Sequence, residues 1–399
     1  MTGAAGETAR HPTAERGTET VNGSLDTALQ EVRRAGMPGV FAEVRDGDRV
    51  WQGAAGLADA EAGLPAAPGM RHRVGSITKT FTAAAVLRQA ERGRIGLDDP
   101  IGRYLPHLVP GERGAAITVR MLLNHTSGLP DYIPYAFPSL KGFPSPAEMR
   151  PESLGDNRFR RFDADELIGM GVAAPAAGAP GGTPGSYSNT NYRLLGRLLE
   201  QVTGATAEEC ITRDAIEPAG LGDTGFPAGP RIDGPHPRMY EAWFGLLDPP
   251  RDHSVYDMSW AGPAASLVST VADLNAFFRA LLAGEIVSPA SLEQMQRTVP
   301  VVAFTGERID YGLGLHRFTL PGAGTAWGND GTVWGAGATS MISADGGRQM
   351  SVAVNLMRWN RLDAQGRPRP HPLDAALPAL YRRAMSGLGG VRTGAEARR

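Results

Sequence analysis

Hydrophobic spacing along the chain alternates between helical and extended periods, and the changes of period mark its elements. Residues 25–34 read as a helix that Ser24 or Asn22 is placed to cap, preceded by a polar stretch, residues 1–23, expected to be a disordered tail. Residues 40–44 and 49–53, on either side of Asp46-Gly47, alternate as the two arms of a β-hairpin. A helix is expected to begin near Ser76, and its run Thr80-Phe81-Thr82-Ala83-Ala84-Ala85-Val86-Leu87 is small and apolar, as in a buried helix. Leu97-Asp98-Asp99-Pro100 marks the loop after it. Residues 131–165 show no clear period, and a stretch of that length is more often a lid or substrate wall than core.

After the Ala/Gly/Pro-rich connector at 174–185, Tyr192, Leu195, Leu198, Leu199 and Val202 form a helical stripe that ends at Gly204. Thr270-x-x-Asp273 has the form of a capping box, opening a helix with Leu274, Phe277, Phe278, Leu281 and Leu282. Strands follow at 311–316, 323–328, 338–343 and 349–355, then a helix over 373–385 and a second tail, 386–399. This order predicts one split α/β domain, a mostly antiparallel sheet flanked by helices. The chain ends (about 24–80 and 265–385) supply the sheet, and about 81–264 an inserted, largely helical lobe.

Composition narrows the function. A formal net charge of −2 gives no reason to expect nucleic acid. Neither an 18-residue apolar run nor an export-type apolar segment in residues 1–24 is present, so no membrane association and a cytoplasmic location are expected. Cys210 is the single cysteine, which excludes an intrachain disulfide. The eight histidines lack ligand spacing, and Glu91, Asp99 and Asp131 lack pairing for metal or glycosidase chemistry, so no metal and no cofactor are expected.

Lysine is rare: the 40 basic residues include only Lys79 and Lys141. Lys79 stands three positions after Ser76, on one helix face with it, and a buried lysine can lose its proton where arginine cannot. The pair has the form of a nucleophile and its base. Two further segments admit two readings each. Tyr187-Ser188-Asn189 is either a helix cap or part of a site. Gly328-Asn329-Asp330-Gly331-Thr332-Val333-Trp334-Gly335 is either a hairpin turn built on Asp330-Gly331 or a strand edge facing a ligand.

Taken in chain order, these segments resemble the serine β-lactamase and penicillin-binding protein superfamily, in particular its class C-like branch of D-alanyl-D-alanine carboxypeptidases, esterases and acyl-transferring enzymes. Ile117-Thr118-Val119-Arg120-Met121-Leu122-Leu123-Asn124-His125-Thr126-Ser127-Gly128-Leu129, Ala265-Ser266-Leu267-Val268-Ser269-Thr270 and Tyr311-Gly312-Leu313-Gly314-Leu315 extend the likeness to residues 39–355. The resemblance implies that Ser76 accepts the acyl group and that Lys79 and Tyr187 share the general-base work. Asn189 would hold the substrate and Lys79, Asn329, Asp330 and Gly331 would line the substrate site, and the amides of Ser76 and Thr332 would form the oxyanion hole. His125 stands behind Tyr187 as a candidate base.

The third motif departs from the Lys-Thr-Gly or His-Thr-Gly usual in that superfamily, reading Asn329-Asp330-Gly331. Loss of the cation and gain of an acid disfavour a substrate carboxylate, by a few kcal/mol in a dry cleft (an order-of-magnitude figure). The expected activity is therefore acyl-enzyme hydrolysis or transfer on an ester, lactone, thioester or amide lacking a free carboxylate, between a small-molecule acyl donor and an acceptor. The alternatives are a carboxypeptidase or β-lactamase in which arginines replace the lost cation, and a binding or sensor module acylated once.

Overall fold

The computed structural model describes residues 13–140, 145, 148 and 150–386, with side chains described from residue 23 onward. Helix α1 spans Thr13–Arg34, so it starts earlier than the helix expected over 25–34 and takes in part of the stretch expected to be a tail. Residues 1–12 and 387–399 lie outside the described residues. Strands β1 (Gly39–Asp46) and β2 (Arg49–Asp59) form the expected hairpin, with Asp46 opposite Arg49 and Gly47 in the left-handed region. Helix α2 spans Thr78–Glu91, α3 Asn189–Thr203, α4 Val271–Leu282 and α5 Leu373–Met385. Among them run β3 (Val299–Val302), β4 (Arg308–Tyr311), β5 (His316–Leu320), β6 (Gly324–Val333), β7 (Ala336–Ser343) and β8 (Arg348–Val354).

One ten-stranded sheet holds these strands in the order Leu64–Pro65, β2, β1, β8, β7, β6, β5, β4, β3, Gly185–Ser186. Every neighbouring pair is antiparallel except β3 with Gly185–Ser186. The β1–β8 pairing joins the two ends of the chain, with Val40 opposite Val354. The fold is thus α/β, with a mostly antiparallel sheet and helices on both faces. Leu25, Leu29 and Val32 of α1 and Leu373, Leu377 and Leu380 of α5 pack on Val40, Ala42 and Val44 of β1. On the opposite side Phe277 of α4 stacks on Phe81 of α2, with ring centroids 3.5 Å apart.

Two sequence expectations fail here. The single strand expected over 311–316 is interrupted, because Gly312-Leu313-Gly314-Leu315 is the connection between β4 and β5. Gly314 takes φ +70°, and a side chain there would sit 2.3 Å from Ala83 Cβ, so this connection presses on α2 and cannot be pleated. Asp330-Gly331 is no turn either; both lie within β6, and the hairpin turns at Trp334-Gly335, where Gly335 has φ +74°. The aperiodic stretch after residue 130 divides between wall and core. Tyr132 and Phe137 are fully buried, with Phe137 edge-on to Trp260 and Trp334, whereas Tyr135 is exposed.

Candidate active site

Ser76 sits in a single 3-10 turn, Gly75–Ile77, that leads directly into α2. Its position depends on two glycines that touch backbone to backbone. Gly75 takes φ +54°, and a Cβ on it would lie 2.5 Å from the Thr332 amide nitrogen. A Cβ on Gly331 would lie 2.3 Å from the Ser76 amide nitrogen. Neither position tolerates a side chain, so β6 runs flush against the start of α2 and brings the Ser76 and Thr332 amides together. Two amides beside one hydroxyl, at the positive end of a helix, form an arrangement able to stabilise an oxyanion.

Lys79 is fully buried one turn along. Its Nζ lies 3.0 Å from Ser76 Oγ, 2.7 Å from Asn189 Oδ1 and 3.0 Å from the Ala264 carbonyl oxygen. Burial, opposed by the nearby Asp131 and Asp330 charges, lowers its pKa from 10.5 to about 7. That displacement corresponds to roughly 5 kcal/mol against the charged form. A neutral amine has two N–H groups and one lone pair. Asn189 Oδ1 and the Ala264 carbonyl can only accept, so they take both protons and leave the lone pair facing the hydroxyl of Ser76. The geometry suits removal of a proton from Ser76.

The phenol of Tyr187 interacts with Ser76, and its ring centroid lies 4.9 Å from Lys79 Nζ. Burial and the neighbouring Tyr311 hold its phenol well above the usual tyrosine range, so it stays protonated. The ring rests 4.1 Å from that of His125 and edge-on to Phe304. The cap reading of Ser188-Asn189 fails on the contacts. Ser188 Oγ donates to the Pro130 carbonyl, and Asn189 points its Oδ1 at Lys79 while its backbone N and Nδ2 donate to Asp131 Oδ2 at 2.6 and 2.9 Å. Asp131 thereby fixes the orientation of Asn189. Nothing in the sequence pointed to it, because the contact spans 58 positions. The Ala264 carbonyl was equally invisible, being a backbone atom 185 positions from Lys79.

His125 is fully buried, and burial holds it well below the usual histidine range. Its Nδ1 accepts from the Ser188 amide at 3.2 Å and lies 3.1 Å from Asn191 Nδ2. That Nδ1 is occupied supporting the Tyr187 turn, and it makes no contact with Ser76.

The third motif divides by strand alternation. Asn329 is buried and faces α2, where its Nδ2 donates to Thr80 Oγ1 at 3.1 Å and approaches Tyr311 Oη and the Ser76 carbonyl at 3.4 Å. It braces the nucleophile turn and does not face a substrate. Asp330 points the other way, its side chain 56% exposed and 3.5 Å from His316 Nδ1. The dry surroundings expected for Asp330 are absent, and solvent weakens its repulsion of a carboxylate. Beside Tyr187 opens a cleft of about 660 Å³ walled by Pro130, Asp131, Pro134, Tyr135, Val302 and Phe304. Its described lining contains no lysine or arginine.

Among the described residues no helix is long and apolar enough to cross a membrane, and no cluster of His, Cys, Asp and Glu could hold a metal ion.

Comparison with known proteins extends the picture. The family model described as Beta-lactamase matches residues 25–373. The solved structure of a D-stereospecific amidohydrolase from Streptomyces sp. superposes with a TM-score of 0.75 at 32% identity, over 86% of this chain and 96% of that one. Esterase EstB of Burkholderia gladioli is 34% identical over 205 residues, 51% of this chain and 50% of the esterase. D-aminopeptidase of Cereibacter sphaeroides is 27% identical over 343 residues, 83% of this chain and 59% of that protein. The chain thus spans half to about six-tenths of the length of these two curated relatives. With fold, site geometry and a family match over most of its length in agreement, the chain belongs to the β-lactamase family, within the serine β-lactamase and penicillin-binding protein superfamily.

Proposed function

We propose that this chain is a serine acyl-enzyme hydrolase or acyltransferase whose acyl donor is an ester, lactone, thioester or amide without a free carboxylate. The observation that carries this reading is the set of three oxygens around Lys79 Nζ, of which only the Ser76 hydroxyl can give up a proton. Neutral Lys79 takes the Ser76 proton as Oγ attacks the donor carbonyl, and the amides of Ser76 and Thr332 hold the oxyanion. Tyr187, kept protonated, hands its proton to the leaving group and recovers from Lys79 the proton that Lys79 took from Ser76. Base work thus falls to Lys79, with Tyr187 as relay. A water, amine or alcohol then resolves the acyl-enzyme.

The largely apolar cleft wall supports a donor without a carboxylate, since none of its described side chains offers a cation. Asp131 in that wall and Asp330 nearby favour a second reading within the same chemistry, a donor carrying a free amine. The relatives named D-aminopeptidase and D-stereospecific amidohydrolase agree with it. A panel of neutral esters, D-amino acid amides and a chromogenic cephalosporin, followed by intact-mass detection of the Ser76 adduct, tests both readings. Transient acylation by esters or amides with slow cephalosporin turnover is expected. Rapid cephalosporin turnover with inert esters and amides would overturn the substrate class, and a permanent adduct would make the chain a sensor.

A further inference from the structure

A second cavity, of about 500 Å³, lies away from the cleft beside Tyr187, between α3 and the segment around Gly262. Arg193 of α3 lines it while being only 6% exposed. The guanidinium is made room for by a glycine: a Cβ on Gly262, which has φ +46°, would lie 1.7 Å from Arg193 Nη1. Yet Arg193 Nε has no hydrogen-bond partner, and no described carboxylate or carbonyl accepts from either terminal nitrogen. A buried cation left without acceptors is costly unless something in the cavity supplies them.

The other charges around it are largely committed. Arg197 is held by Asp165 and Glu200, Asp163 caps the helix at Ala164–Ala173, and Asp257 accepts from the Ser259 amide. Arg193, Arg161 on the exposed rim and Glu208 remain outside any ion pair among the described residues. A planar guanidinium matches a carboxylate with two parallel hydrogen bonds. The nearby Glu200 and Glu208 disfavour a dianion such as phosphate, and Phe162, Phe226, Met258 and Pro263 suit an apolar body attached to a single negative charge.

The cavity also touches the catalytic machinery. Gly262 opens the 3-10 turn Gly262–Ala264, in which Pro263 accepts from Thr82 Oγ1 and Ala264 accepts from Lys79 Nζ. We propose that the Arg193 cavity is a second binding site, for a small apolar monocarboxylate, and that its occupancy is felt at Lys79 through the Gly262–Ala264 turn.

Benzoate serves as the probe, titrated calorimetrically into the full chain against a chloride control of equal ionic strength. Saturable binding is expected for the wild type and for Ser76→Ala, weakened at least tenfold by Arg193→Gln. Gly229→Trp gives an independent check, because Gly229 lines the cavity and a Cβ there meets nothing within 4 Å, which leaves a side chain room to start toward the cavity mouth. It should also weaken binding at least tenfold, and it decides the matter if Arg193→Gln does not fold. No binding above the chloride control, or unchanged affinity in Gly229→Trp, would overturn the site. Coupling is read without any activity assay, from the resonance of isotope-labelled Lys79, which should shift at saturation. Arg193-dependent binding with an unmoved Lys79 signal would overturn the coupling and leave the site standing.

Discussion

A half-buried arginine and a fully buried lysine meet opposite surroundings in this molecule. Arg358 makes a two-pronged ion pair with Glu241, which is itself fully buried, and also donates to the Val333 carbonyl while lying over the rings of Trp243 and Trp334. Lys79 receives three neutral oxygens and no carboxylate in direct contact. The nearest acid, Asp131, is held one residue away, because Asn189 spends its Nδ2 on the acid and its Oδ1 on the amine. An amide inserted between acid and amine keeps the orientation of an ion pair without its charge stabilisation. The Arg358 site is therefore built to hold a charge and the Lys79 site to shed one, and residue type follows, since arginine cannot shed its proton at working pH.

The sharpest way to break this contrast is to make the two sites alike. Lys79→Arg places a permanent cation beside Ser76, and kcat/KM per folded molecule for the best ester should fall by about a thousandfold or more, roughly 4 kcal/mol of barrier, with thermal stability lowered as well because the buried site disfavours a charge. Steady-state kinetics beside a melting curve checks it; retained activity would show that no neutral base is needed. Arg358→Met should act conversely. It leaves Glu241 buried without its cation, at a stability cost of about 3–5 kcal/mol by denaturant titration, while turnover per folded molecule stays within a few-fold.

The contrast also shows how far the sequence reached. The rarity of lysine, its spacing from Ser76 and the apolar run after it made the reactive pair legible, because all three are local. The hairpin at β1–β2 and the helices α3 and α5 were legible for the same reason. What surrounds Lys79 was not, since Ala264 contributes a main-chain carbonyl and Asp131 acts through Asn189. Asn329 was assigned to the substrate side because a motif does not reveal which face of a strand each residue occupies, and the pleat turned its amide toward Thr80. The 311–316 segment looked extended by composition, yet tertiary contact between Gly314 and α2 set its course.

Smaller effects sharpen the account of Lys79. With its pKa lowered to about 7, the amine is protonated and inactive as a base below that pH and free above it. The kcat/KM profile should rise about tenfold per pH unit on the acid side and level off above about pH 7. Asp131→Asn removes a charge that favours the protonated amine, so the rising limb should move to lower pH, by a few tenths of a unit up to about one. An unmoved limb with a lowered plateau would mean that Asp131 acts chiefly by orienting Asn189.

The most direct test uses the scarcity of lysine. A protein labelled with 13C at lysine Cε carries only Lys79 and Lys141, and Lys141→Arg leaves a single resonance to titrate. A midpoint near pH 7 is the expected result. A midpoint at about 10 or above, the behaviour of a solvated lysine, would contradict the neutral amine on which the chemistry at Ser76 depends.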